Sequence, residues 1–353
     1  MILKKNILLL LSITLLLTVS CGGNQESKNK PKPIEVPEIK LDLRFTRFEQ
    51  EIFNRKTPFD STAIQQLRIK YGSFFDLWCY RLAYLIPAIE KHPTDTYLAY
   101  NLSQYTSDKY IREVYNESQK QFADLDWINK DVSTAFKRYT VLFPRKTIPK
   151  LITYISPFTS NVMAMDSSLG LGLHFYFGAD YKYYPTLSLP HYMITKFRRE
   201  YIVRDLLQGW LDSEFTNDTI HNSFMNLLIY NGKVAYALDL LTPETPDSIK
   251  IGYTASQYDW AVTNESKIWA FFIEQQLLYS SNAKLYMKYI NDGNTTTGFP
   301  KEAPARLGVF IGWQIVRSYM KNHPDIKLAA LFRNQDASAI LSSSGYKPAK
   351  PNQ

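Results

Sequence analysis

The chain has 353 residues, with 41 Lys and Arg against 33 Asp and Glu, a formal charge of +8, and 45% apolar residues. That composition excludes an intrinsically disordered chain, and two cysteines exclude a disulfide-stapled scaffold. The modest positive balance, with no Arg/Lys stripe interleaved with aromatics, argues against a nucleic-acid partner.

Residues 1–20 read as a targeting segment. Lys4 and Lys5 form a short basic region, and Ile7 to Leu17 an apolar core too short for a comfortable membrane span. Leu17-Thr18-Val19-Ser20-Cys21-Gly22-Gly23 then places a small residue before a cysteine and glycine after it, the pattern of a lipoprotein cleavage site. Cleavage there leaves Cys21 as the lipidation site; two or more acyl chains, such as palmitate, give stable anchoring where one is marginal. Removing residues 1–20 takes away Lys4 and Lys5 and no acidic residue, leaving a charge of +6. Cys79, in an aromatic-rich run, is then without an internal disulfide partner and reads as a small buried apolar residue.

Residues 21–40 are rich in Lys, Glu and Pro and read as a flexible tether. The stretch after Cys21 carries only Glu26 beside Lys28 and Lys30, which favours an outer-membrane anchor facing the periplasm over surface display. Residues 41–346 are expected to form one globular domain, mainly α (α+β): a large helical body with one small β-sheet. Residues 347–353 are a C-terminal tail.

Residues 60–143 read as successive helices, one of them running from Leu77 to Glu90 with Pro87 near its end. The period changes over 150–178. Lys150 to Ile155, Asn161 to Asp166 and Leu171 to Phe177 are short, apolar and partly β-branched, as strands are. His174, alone on the last of these, reads as a hydrogen-bonded structural residue. Lys196, Arg198 and Arg199 read as a solvated face. Further on, Tyr258 to Leu278 reads as one helix on which Asn264 and Glu265 are the remaining candidates for a polar site. Asp292 to Phe299 is a Gly/Thr-rich loop without the order of a phosphate loop. Arg306 to Lys321 reads as an amphipathic helix, and two short helices close the chain.

The stretch His191–Leu241 reads as two consecutive helices. Arg204 and Gln208, four apart, share a face of the first. Asn231 falls on the apolar stripe of the second, for which Asn217 or Asp218 is a candidate cap. The spacing allows Arg204, Asp205, Gln208 and Asn231 to meet between the helices. The plainer reading is a polar contact that fixes helix register. The spacing also resembles a zinc peptidase, in which H-E-x-x-H on one helix and a carboxylate on the next hold the metal. Here the positions read Arg204-Asp205-x-x-Gln208 and Asn231. Arginine has no lone pair to give, and Gln is a poor zinc ligand. On such a scaffold the metal site is gone, and no cofactor is expected.

An ordered set of further residues carries a family resemblance. It includes Leu43-Arg44-Phe45, Arg47-Phe48, Asp166-Ser167-Ser168-Leu169-Gly170-Leu171-Gly172-Leu173 and Tyr183-Tyr184-Pro185. It continues through Asn231-Gly232-Lys233, Tyr253-Thr254, Gln257, Trp260, Asn264-Glu265 and Ile268-Trp269. Leu278-Tyr279-Ser280, Pro304, Arg306, Gly308 and Gly312-Trp313-Gln314-Ile315-Val316-Arg317-Ser318-Tyr319 complete it. In this set the chain resembles the GldB family, gliding-motility lipoproteins of Bacteroidetes. The resemblance implies a degenerate zincin-like core and an accessory role in an envelope machinery, which in gliding species serves gliding.

Three function classes follow as expectations. The first is a non-catalytic envelope lipoprotein, a pseudo-zincin that serves other envelope proteins through its groove. The second is a glycan- or peptide-binding lipoprotein. The third is an active hydrolase using a carboxylate pair such as Asp205 and Glu265. The first is the main expectation.

Overall fold

The computed structural model describes residues 30–348 apart from 37, 88, 91, 166 and 216–222. The signal segment, Cys21, Asn217 and Asp218, and the end of the C-terminal tail lie outside the described residues. Residues 30–36 carry no regular structure, yet Ile34 packs on the core.

The first layer is helical. β1 (Thr46–Arg47) leads into α1 (Phe48–Phe53), whose Phe48 is fully buried. α2 (Ser61–Tyr71) starts where Asp60 accepts the Ala63 N–H and stops at Gly72, which has φ +55°. α3 (Ser73–Leu77) widens into a π-turn, Trp78–Leu82, which ends at Ala83. The helix expected to reach Glu90 therefore stops before Pro87. The π-turn seats Trp78 and Cys79 in the core, and Trp78 Nε1 donates to the Ile155 carbonyl at 3.0 Å, tying this layer to the sheet. The Cys79 thiol is buried, as expected for a small apolar side chain. α4 (Asp95–Ser107) and α5 (Lys109–Gln121) are capped by Thr94 and Asp108, and α6 (Asp126–Leu142) completes the layer.

β2 (Lys150–Tyr154), β3 (Val162–Met165) and β4 (Ser168–Gly172) join β1 in a four-stranded sheet of order β1-β2-β4-β3. β1, β2 and β4 run parallel, and β3 is antiparallel to β4 at the sheet's edge. Every residue of β4 is buried, because helices cover both faces, so the strand reads as a continuous apolar run. The strand expected from Leu171 to Phe177 ends at Gly172. Leu173–Phe175 is instead a 3₁₀ turn that carries His174 into the core.

The remaining helices are α7 (His191–Ile194), α8 (Ile202–Glu214), α9 (Phe224–Leu241) and α10 (Asp247–Ile251). They continue as α11 (Ala255–Thr263), α12 (Glu265–Glu274), α13 (Ala283–Ile290), α14 (Leu307–Asn322), α15 (Leu328–Arg333) and α16 (Ala337–Ser343). Ser223 caps α9, rather than Asn217 or Asp218. The single helix expected over 258–278 breaks at Asn264, and the short α13 was not legible. α14 is not amphipathic: every residue from Leu307 to Met320 is buried, as in a helix at the centre of a domain.

The guanidinium of α14 is held by buried carboxylates. Arg317 donates to both oxygens of Asp239 on α9 at 2.7 Å and to Asp247 Oδ2 at 2.8 Å. Lys250 Nζ donates to Asp239 Oδ1 at 3.0 Å, and Trp313 Nε1 to Asp239 Oδ2 at 2.9 Å. Two cations and two carboxylates thus join α9, α10 and α14 inside one core that extends from Phe45 to Ile340.

Candidate functional site

α8 lies across the edge strand. A Cβ on Gly209 would stand 2.7 Å from Val162 Cγ1, so glycine permits this close approach. The outward face of α8 and β3 enclose an open cleft of about 470 Å³. Arg204, Asp205, Gln208 and Asp212 line it from the helix, and Asn161, Val162 and Ala164 from the strand side.

Asp205 is the hub of this cleft. Its Oδ2 accepts from Tyr176 Oη at 2.8 Å and from Asn161 Nδ2 at 3.1 Å, and its Oδ1 accepts from Arg204 Nη1 at 2.7 Å. Arg204 Nε donates to the Lys250 carbonyl at 3.0 Å, while its Nη2 is buried without a hydrogen-bond partner. Gln208 and Tyr230 hydrogen-bond to Asp212, whose carboxyl is raised above its usual range by burial against those bonds.

Arg204 and two further cationic groups converge around Gly252. A Cβ on Gly252, which has φ +80°, would lie 3.6 Å from Arg204 Nη2 and from Lys196 Nζ, and 3.7 Å from Arg306 Nη1. Arg306 Nη1 donates to the Ile251 carbonyl at 2.8 Å, and Lys196 Nζ pairs with Asp292 Oδ2 at 2.6 Å. Burial lowers the Lys196 ammonium; Asp292 opposes this, and Arg306 and Arg204 add to it. Burial and then Arg204 likewise lower the Arg306 guanidinium. Lys196 therefore does not belong to a solvated face. Arg198 pairs with Glu200, and Arg199 donates to the Gln121 carbonyl.

The expected constellation forms only in part. Arg204, Asp205 and Gln208 share the cleft. Asn231 Nδ2 instead donates to the Leu227 carbonyl of its own helix at 2.8 Å. Asn264 sits at the break between α11 and α12, where Nδ2 donates to the Trp260 carbonyl at 2.9 Å and Oδ1 accepts from Lys267 at 3.2 Å. Glu265 accepts from Tyr346 Oη at 2.8 Å, and neither it nor Asn264 lines the cleft. Asp205 and Glu265 are therefore engaged by different parts of the chain. His174 Nε2 lies 3.0 Å from Ser156 Oγ in a buried aromatic cage, and burial lowers its pKa to about 3. It is a neutral structural residue. The reading of the helix pair missed Asn161, Tyr176, Lys196 and Asp212; only Asp212, on the same face of α8 as Arg204 and Gln208, carried a signal in the spacing.

Among the described residues no three His, Cys, Asp or Glu side chains stand together as a metal-binding group, and no helix is long and apolar enough to cross a membrane. No curated protein and no solved structure gives a significant match to the chain. The family model described as gliding motility protein GldB matches residues 29–348. A match over that span carries the assignment: the chain belongs to the GldB family of gliding motility proteins.

Proposed function

We propose that the chain is a non-catalytic lipoprotein of the cell envelope, anchored at Cys21 in the outer membrane facing the periplasm. It acts as an accessory component of a gliding-type machinery, using the cleft between β3 and α8 to engage other envelope proteins. The order of sheet then helix, with α8 over an antiparallel edge strand, supports a zincin-like groove. One observation carries the non-catalytic reading. Both oxygens of Asp205, at the position of a zinc peptidase's Glu, are engaged by Arg204, Tyr176 and Asn161. Arg204 and Gln208 then stand where a zinc peptidase needs two imidazoles.

Metal content tests this reading. The chain is purified, equilibrated with zinc, stripped of loose metal and assayed by plasma mass spectrometry. The expected outcome is no stoichiometric metal, with no peptide hydrolysis. One tight metal per chain, with cleavage abolished in Asp205→Asn, overturns it. The anchor is tested separately: Cys21→Ala is expected to lose fatty-acid labelling and membrane retention.

A second reading, a peptide- or glycan-binding lipoprotein, is favoured by the unpartnered Arg204 Nη2 and its two neighbouring cations. An extended peptide adding to β3 would place an acidic group there. Saturable binding of acidic over neutral peptides, lost in Arg204→Gln, is the outcome that reading requires.

A further inference from the structure

A second, larger cavity lies past the C-terminal end of α8, where Phe215 lines it. It measures about 1800 Å³ and opens where α6, α9 and α14 end beside α15. That exceeds the roughly 300–1,000 Å³ of an ordinary small-molecule site. Its lining is mostly apolar, with Phe143, Leu240, Met320 and Leu328 presenting hydrocarbon. Its rim is basic. Lys30 and Lys32 come from the N-terminal segment, Arg145 and Lys146 from the turn after α6, and Lys327 and Arg333 from α15 and its approach. Asp325 is the only carboxylate among the described lining residues, and of the rim cations Lys146 is paired with Glu214 at 2.9 Å. An apolar interior behind a ring of ammonium and guanidinium groups matches one chemistry, an acyl chain carried by an anionic headgroup.

Anchorage at Cys21, as proposed above, would bring a membrane within reach of this face. Lys30 to Ile34 runs along the cavity, and Lys30 Nζ stands 3.9 Å from Asp247 Oδ1. Cys21 lies nine residues upstream of Lys30. A fully extended chain of that length spans at most about 30 Å. A lipid attached at Cys21 would therefore keep the basic rim within about 30 Å of the membrane. We propose that this cavity binds an anionic phospholipid of the membrane, with acyl chain inside and headgroup phosphate on the rim. The proposal rests on the Cys21 anchor of the proposed function together with the cavity and its charge, and it stands whether or not the α8 cleft engages proteins.

The test titrates the full chain, in neutral detergent, with phosphatidylglycerol carrying a fluorescent acyl chain. Phosphatidylcholine with the same chain is the control. Saturable binding that prefers phosphatidylglycerol by roughly tenfold is expected, weakening with salt. Arg145→Glu with Lys327→Glu, both at exposed positions, is expected to remove that preference while leaving the thermal melt unchanged. Ala330→Trp, which fills the cavity from α15, is expected to weaken both lipids. Equal binding of the two lipids, or binding indifferent to all three substitutions, overturns the proposal. So does a wild-type chain that takes up no lipid while Cys21→Ala does, because the chain's own acyl groups would then be the occupant.

Discussion

Gly232 of α9 and Gly312 of α14 meet backbone to backbone. A Cβ on Gly232 would lie 2.2 Å from the Gly312 carbonyl oxygen, and a Cβ on Gly312 would lie 1.8 Å from that of Leu228. Neither neighbour is a side chain that can rotate away, so the two central helices cross where both lack a Cβ.

Gly312→Ala is therefore expected to destabilise the fold by more than the about 1–3 kcal/mol typical of overpacking, read as a lower urea midpoint. Gly209→Ala is the comparison. Its nearest neighbour is the Val162 side chain, which can shift, so the loss there is expected to be smaller. Equal losses would mean that the α9–α14 crossing is looser than drawn.

The buried charge network makes a second prediction. Asp239→Ala leaves Arg317 and Lys250 facing each other across a site whose first carboxylate is gone. Breaking such a pair by removing one partner costs about 3–5 kcal/mol. Glu244→Ala removes the partner of Arg138 at a position where the carboxylate side chain is 70% exposed, and is expected to cost under about 1 kcal/mol. Thermal melts of the two variants decide it: similar losses would mean that the network is hydrated.

These same residues show what the sequence could and could not reveal. α14 reads as amphipathic because Gln314, Arg317 and Ser318 interrupt its apolar run. The stripe is real, but Asp239 and Asp247, some seventy residues earlier, take Arg317 inside, and the Ser344 carbonyl takes Ser318. β2 and β3 are legible from their apolar, partly β-branched runs, whereas the two residues of β1 offer no period to read. Arg204, Asp205 and Gln208 are legible as one helical face. Asn231 falls on the right stripe, yet its amide is drawn back to its own helix by the Leu227 carbonyl, which no spacing argument foresees. The gathering of Lys196, Arg204 and Arg306 around Gly252 joins residues more than a hundred positions apart and exists only in the fold.

His174 gives a pH prediction. Burial lowers its folded pKa to about 3 from the ordinary 6.5, so the unfolded chain binds the extra proton between those values. Stability from the neutral ring is fully present above about pH 6.5 and lost as pH falls toward about 3, at up to about 1.4 kcal/mol per pH unit. Urea midpoints measured at intervals down to about pH 4 are expected to show this slope. His174→Phe should flatten it, and an unchanged slope would assign the acid sensitivity to the carboxylates instead.

The zincin-like reading of the core can be tested by restoring what it says was lost. Positions 204 and 208 both line the cleft from α8, so Arg204→His with Gln208→His places two imidazoles at i and i+4 on one face. That pair alone is expected to bind zinc weakly. The third ligand depends on how α9 presents position 231, where the native amide turns back to Leu227. A zincin-like arrangement aims that position at the pair, so adding Asn231→Glu should tighten zinc by roughly tenfold or more, with proton release on binding. Competition against a colorimetric chelator measures both variants, and circular dichroism confirms that each is folded. If the third substitution leaves the affinity of the double variant unchanged, α9 does not face the pair. The cleft is then a polar groove on a helical protein rather than a retired metal centre.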